Sequence, residues 1–338
     1  TILVLVALNL FSAKLFGELE FWLSIIKVIT FLALIIVGIV MVIFAMKTDY
    51  GPATVTNIWK EGGFFPNGAS GFFMSFQMAI FSFIGIELIG ITAGETKNPH
   101  ETIPQAINNV PFRILIFYIG SLAVIMSVVP WDKLDPAESP YVKLFGLIGI
   151  PLAAGIINYV VLTAAASSCN SGIFANSRTM FGLAGRNQGP PFLHKTNKNG
   201  VPYNAILVTC GLLGIAVILN AIFKDATKVF VQITTFSTVL NISIWAVIMV
   251  AYIGYLKHNP EQHKESNYRM PGGKYTAYGI LVFFAFIFVI LLINSSTRLA
   301  VLFIPVWVLV LFLMYQNYKK ESRKAEIPTE DDAETTEE

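Results

Sequence analysis

The sequence predicts an all-α polytopic membrane protein, and three observations carry that reading. Of 338 residues, 55% are hydrophobic and only 13% charged, about half the ~25% charged share of an ordinary soluble domain. The apolar residues fall in continuous runs, not in the period-two alternation of a membrane β-barrel. Lys and Arg are divided unevenly between alternate connecting loops. A soluble chain of this composition would present one large apolar surface to water. Disorder, a disulfide scaffold, a nucleic-acid binder and an ordinary cytosolic enzyme are therefore excluded. A formal net charge of +2 calls for no polyanionic partner.

The spans follow in order. The chain opens on Thr1 inside an apolar run, Ile2 to Ala13, shorter than the ~20 residues a helix needs to cross a bilayer. It reads as the end of a span that starts upstream, and the chain as the C-terminal part of a longer protein. Eight full spans are expected at roughly 19–45, 71–94, 111–130, 147–177, 203–223, 229–256, 277–294 and 298–317. Residues 1–318 then form the membrane domain. Residues 319–338 form a tail with eight acids and four bases. One alternate set of loops, the tail included, holds 15 Lys and Arg and the other set seven. The richer set is expected in the cytoplasm, with the C-terminus inside.

Polar groups at membrane depth are functional candidates. Lys27 lies about eight residues into its span, ~12 Å from the inner end at 1.5 Å per residue. The alternative is a lysine that bonds a backbone carbonyl and only bridges helices. Glu87 sits among Gly85, Gly90 and Gly94, and glycine weakens a helix by roughly 1 kcal/mol relative to Ala. A glycine-interrupted span with an acid at the break points to a discontinuous helix lining a cavity. Small-residue packing through Gly90 and Gly94 is the alternative, but it leaves Glu87 unexplained. Thr163, Ser167 and Ser171 recur every fourth residue, with Ser168 and Asn170 beside them. Thr234, Thr238 and Asn241, with Thr235, make a second stripe. Such hydroxyls line a polar cavity or return hydrogen bonds to the i−4 carbonyl.

Between spans, Ile103, Ala106, Ile107 and Val110 mark an amphipathic helix on the inner face, for which Pro104 suits the start. Cys169 and Cys210 read as small buried hydrophobes. His100, His194, His258 and His263 are expected in solvated loops. No metal spacing, phosphate loop or nucleophile–base pair is present, so no metal, cofactor or catalytic residue is expected. A membrane-embedded transferase would need such a constellation. A channel would need rings of like charge or a repeated filter motif.

Several stretches together resemble the amino acid transporter branch of the amino acid–polyamine–organocation superfamily. They are Phe81 to Leu88, Ala93 to Pro99, Ile103 to Asn108, Lys14 to Trp22 with Lys27, Val161 to Gly172, and the Met270-Pro271-Gly272-Gly273 turn. The likeness runs over nearly the whole chain and is strongest to the bacterial D-serine/D-alanine/glycine permeases. Permeases for proline or for other neutral or aromatic amino acids are the runner-up.

The resemblance implies an inverted-repeat fold of twelve helices. This chain then begins late in helix 4, lacks the first three, and carries helices 5 to 12. It implies a plasma (inner) membrane permease, working as a monomer in the lipid bilayer, that couples uptake of small neutral amino acids to protons. Backbone carbonyls of Phe81 and Ile84, beside Gly85, would meet the substrate ammonium, with Phe81 gating the site. Ser168, Ser171, Gly172, Thr234 and Thr235 would line the side-chain pocket. Glu87 would gate or couple, and Lys27 would stand where sodium-coupled relatives hold a cation.

Overall fold

Lipid offers no hydrogen-bond partners, so each apolar run must close its backbone bonds internally. The computed structural model describes residues 2–11, 13–91, 96, 98–135, 138–149, 152–222, 226–266 and 268–326. Within them the runs are helices. In order they are α1 (Ile2–Phe11), α2 (Ala13–Ile43), α3 (Asn57–Lys60), α4 (Gly68–Phe81), α5 (Leu88–Ile91), α6 (Pro99–Arg113) and α7 (Ser121–Val128). Then come α8 (Pro140–Gly146), α9 (Ala153–Gly185), α10 (Tyr203–Ile222), α11 (Ala226–His258), α12 (Pro260–Glu265), α13 (Gly273–Ile293) and α14 (Ser295–Glu326). Six stretches are long and apolar enough to cross a membrane, and Gly68–Phe81 and Tyr203–Ile218 are shorter apolar helices. These eight fall where the eight spans were expected. Between 11% and 22% of the most apolar window of each long helix is buried. The remaining apolar surface suits lipid rather than water.

The chain divides into two compact units. One comprises residues 1–24, 164–224 and 303–338; the other comprises 25–163 and 225–302. In the first, Leu5, Ile173, Val201, Ile206 and Cys210 form a buried cluster where α1, α9 and α10 pack. In the second, Leu34, Met41, Val124, Val128 and Leu144 are the centre of the core, and α4 packs against α11 and α13.

Several expectations need correction. Lys47–Thr48 and Gly51–Pro52 pair as a two-residue antiparallel ladder, a small exception to all-helical structure. The amphipathic segment is not a separate surface helix, because helical structure runs unbroken from Pro99 to Val128. Pro99 occupies the first helical turn, while Pro104 and Pro111 lie inside the helix. Each interior proline removes a backbone donor. Ile114–Gly120, just beyond Pro111, is a π-helical stretch, a wider turn in which the backbone bonds shift register. His100, His258 and His263 lie in α6, α11 and α12, not in loops. Cys169 is exposed and only Cys210 buried, since rotation about a helix axis decides which residues face inward. The tail is helical to Glu326, and residues 327–338 lie outside the described residues.

The connections are specified locally. Asn57 donates to Ser127 O at 2.9 Å and to Pro52 O at 3.2 Å, pinning the loop after α2 to the end of α7. Hydrogen bonding to Tyr50 holds the Lys143 ammonium above the usual lysine range against a smaller effect of burial, and Glu138, 3.3 Å away, adds to it. In the Met270–Gly273 turn, Gly272 has φ +73° and a Cβ there would lie 2.2 Å from Thr276 Oγ1, so that position takes glycine.

At Gly38, α2 leaves no room for a side chain beside α7. A Cβ there would fall 1.8 Å from Val124 Cγ1 of α7. Valine has little rotamer freedom with which to yield. Gly38→Ala is therefore expected to destabilise the protein by about 1–3 kcal/mol through overpacking, read as a lowered unfolding temperature in detergent.

Candidate functional site

The site is built on a helix that stops and restarts. α4 ends at Phe81, Ser82 to Glu87 form successive turns, and helix resumes at Leu88. Gly85 has φ +104°, a conformation that side chains with a Cβ resist. Its N–H turns inward to donate to Glu87 Oε2 at 3.1 Å. Glu87 therefore clasps the break that exposes it. The turns are closed by short-range bonds, Ile84 N to Phe81 O at 3.2 Å and Leu88 N to Gly85 O at 3.1 Å. Among the described residues no hydrogen bond reaches the Ile84 carbonyl. The span 71–94 is thus discontinuous, as its glycines foretold. Thr92 to Glu95 and Lys97 lie outside the described residues.

Around the break stand groups from the same unit. Phe81 meets Phe230 of α11 edge-on, with centroids 6.3 Å apart. Buried Gln77 donates to Thr234 Oγ1 at 3.2 Å, locking α4 to α11. Tyr118, in the π-helical stretch, donates its phenolic hydrogen to Ser82 O at 2.9 Å. Phe81, Ile84, Gly85 and Glu87 are half-buried, as is Lys27 on α2. Thr234 and Thr235 are buried.

The two polar stripes do different things. On α11 the hydroxyls return to their own helix: Thr234 to Phe230 O at 2.8 Å, Thr235 to Val231 O at 2.6 Å and Thr238 to Thr234 O at 2.8 Å. Their remaining capacity is to accept, as Thr234 does from Gln77. On α9 the stripe lies in the other unit from residue 164 onward. There Ser168 is exposed and donates to Ala164 O at 3.1 Å, while Ser171 and Gly172 are half-buried. Ser167 and Asn170 face inward and reach other helices: Ser167 donates to Glu20 Oε1, and Asn170 Oδ1 accepts from Asn9 at 2.7 Å.

Among the expected site residues, then, Phe81, Ile84, Gly85 and Glu87 share one break, and Thr234 and Thr235 sit on its neighbour α11. Lys27 belongs to that unit; Ser168, Ser171 and Gly172 belong to the other. Sequence reasoning missed Gln77, Tyr118 and Glu20. Gln77 and Glu20 carried the same signal as Lys27, a polar group inside an apolar run. Tyr118 carried none, because an aromatic at a span is ordinary. Gly90, which the alternative reading assigned to small-residue packing, has no atom within 4 Å of a Cβ built on it. Among the described residues, no three His, Cys, Asp or Glu come together to hold a metal.

A multi-pass helical protein with an acid at a mid-span break, whose relatives carry solutes across membranes, is a transporter and not an enzyme. Its family is shown directly. The amino acid permease family model matches residues 1–328, and the chain belongs to that family. It is 46% identical to the transporter YdgF of Bacillus subtilis (strain 168), over 93% of this chain and 68% of that protein. It is 44% identical to the amino-acid permease AapA of the same organism, over 96% of this chain and 70% of that protein. It is also 44% identical to the D-serine/D-alanine/glycine transporter of Escherichia coli (strain K12), over 92% of this chain and 67% of that protein.

The break makes a paired prediction. Gly85→Ala forces a Cβ into a positive-φ position and should lower stability by about 1–2 kcal/mol. Gly90→Ala, in ordinary helix with open space, should be neutral or stabilising by up to ~1 kcal/mol. Thermal unfolding of the two purified variants checks the contrast.

Proposed function

We propose that this chain is the transport core of a secondary active permease that takes up small neutral amino acids of the D-serine, D-alanine and glycine type, driven by protons. The observation that carries this reading is the Ser82–Glu87 break, with its glycine corner, its available Ile84 carbonyl and its half-buried acid. A backbone carbonyl left open at a helix break suits a substrate ammonium. The chemistry of the pocket residues favours a small neutral side chain. Thr234 and Thr235, on the helix that packs against α4, offer hydroxyls, and neither pairs with a charged substrate. The relative named for D-serine, D-alanine and glycine supports the same class.

Transport would proceed by rocking one helix bundle against another around a midplane site. Lys27 is the coupling group in this reading: it takes a proton from the outer solution and releases it inside. Glu87 gates the site by holding or releasing the Gly85 corner. In this reading the protein sits in the plasma membrane with its C-terminus in the cytoplasm, an orientation the Lys and Arg bias supports.

Competition against labelled glycine uptake by the full-length protein tests the substrate class. D-alanine and D-serine should compete best, and preferential competition by arginine or glutamate would sink the reading.

Two variants test the roles. Glu87→Gln should cut uptake at least about tenfold, equivalent to ~1.4 kcal/mol of barrier, at normal surface expression. Lys27→Ala should abolish accumulation driven by an imposed pH difference in vesicles yet leave substrate exchange partly intact. Continued concentration of substrate by the Lys27→Ala or Lys27→Arg variant removes Lys27 from the coupling role.

A further inference from the structure

A partly buried carboxylate lies inside a membrane-spanning helix of this chain, in the unit that lacks Lys27 and Glu87. Glu20 stands in the first turns of the Gly17–Ile43 span. It is half-buried, whereas Glu18 two residues earlier is exposed. Its Oε2 is shielded from solvent. Its Oε1 accepts a hydrogen bond from Ser167 Oγ of α9, and Ser167 is 1% exposed.

Asn170, one turn along α9 from Ser167 and on the same face, is 2% exposed. Asn9 of α1 is 6% exposed. Asn9 Nδ2 donates to Asn170 Oδ1 at 2.7 Å and to Leu5 O at 2.9 Å. Its own Oδ1 is buried and receives no hydrogen bond from the described residues. A buried acceptor left in this state is unfavourable, so this row of polar groups is not explained by packing α1, α2 and α9 together.

We propose that Glu20 is a proton-binding residue of the transport cycle, additional to Lys27 and Glu87, with Ser167 as its positioning partner. The inference rests on the proton-driven reading above. Ser167 suits both protonation states because a hydroxyl donates and accepts. To the carboxylate it donates, as seen. Once Glu20 takes a proton from water, the new O–H can donate to Ser167 Oγ. The serine hydrogen is then free to turn to the Thr163 carbonyl, its i−4 neighbour. Deprotonation returns the proton to water and restores the observed bond, so no charge is left without a hydrogen-bonding group in either state. A purely structural Glu20 would need only the acceptor, which glutamine also supplies.

That difference sets the experiment, done on the full-length protein in vesicles. Glu20→Gln keeps the acceptor for Ser167 and loses the proton site. It should retain substrate exchange within about twofold of wild type and lose accumulation under an imposed pH difference. Accumulation at the wild-type level overturns the proposal, and so does equal loss of exchange and accumulation in a folded variant.

A second measurement needs no variant. Dicyclohexylcarbodiimide attacks protonated carboxyl groups in apolar surroundings. Peptide mass spectrometry of treated wild-type protein should find Glu20 modified and Glu18 unmodified. An unmodified Glu20 overturns the proposal even if Glu20→Gln fails to fold. If wild type itself does not accumulate substrate under a pH difference, the proton-driven reading fails first, and that result is read apart from either measurement on Glu20.

Discussion

Everything in this chain follows from a solvent that makes no hydrogen bonds. In hydrocarbon an open N–H or C=O costs several kcal/mol, so the backbone is closed into helices almost wherever it is apolar. The constraint makes the exception informative. Between Phe81 and Leu88 the i−4 ladder stops; tight turns and the Glu87 carboxylate bonding Gly85 N take up several of the groups it would have used, while among the described residues the Ile84 carbonyl is left open. An acid that caps a break in its own helix is placed there by geometry, since ten residues further along an uninterrupted helix the same carboxylate would have no backbone donor to meet.

The same constraint sorts the hydroxyls. Along α11 they fold back on carbonyls of their own helix, which hides polarity from lipid at little energetic consequence. Ser167 and Asn170 of α9 instead cross to neighbouring helices. A serine in a span is thus a weak statement by itself; the partner decides its meaning. Ser168 and Ser167 are adjacent in sequence, yet one is exposed and self-satisfied and the other is buried against a carboxylate.

Much of this was legible in the chain. Continuous apolar runs located the six described helices long and apolar enough to cross a membrane and the two shorter apolar ones, because hydrophobic length is the quantity the bilayer reads. The break was legible in Gly85, Gly90 and Glu87, since glycine and charge are both unfavourable in a spanning helix and their coincidence needs a reason. Helix boundaries were less so. Pro104 resembled a helix start, but Pro99 with Asn98 before it does that work, and the segment then runs on through Pro111 into the bilayer. Local proline rules do not say how far a helix will tolerate a missing donor when it can widen into a π turn. Contacts such as Gln77–Thr234 and Glu20–Ser167 join residues 157 and 147 positions apart, and no local pattern encodes such pairings.

One contact links the two irregularities of the second unit. The helical rod 99–128 is re-registered at Ile114–Gly120, and α4 is interrupted at Ser82–Glu87; Tyr118 from the first bonds the Ser82 carbonyl of the second. Each defect thus stabilises the other, because the carbonyl released by one is satisfied by a phenol that the other aims. Regularising either segment would withdraw its half of the bond and leave a polar group open, which hydrocarbon disfavours.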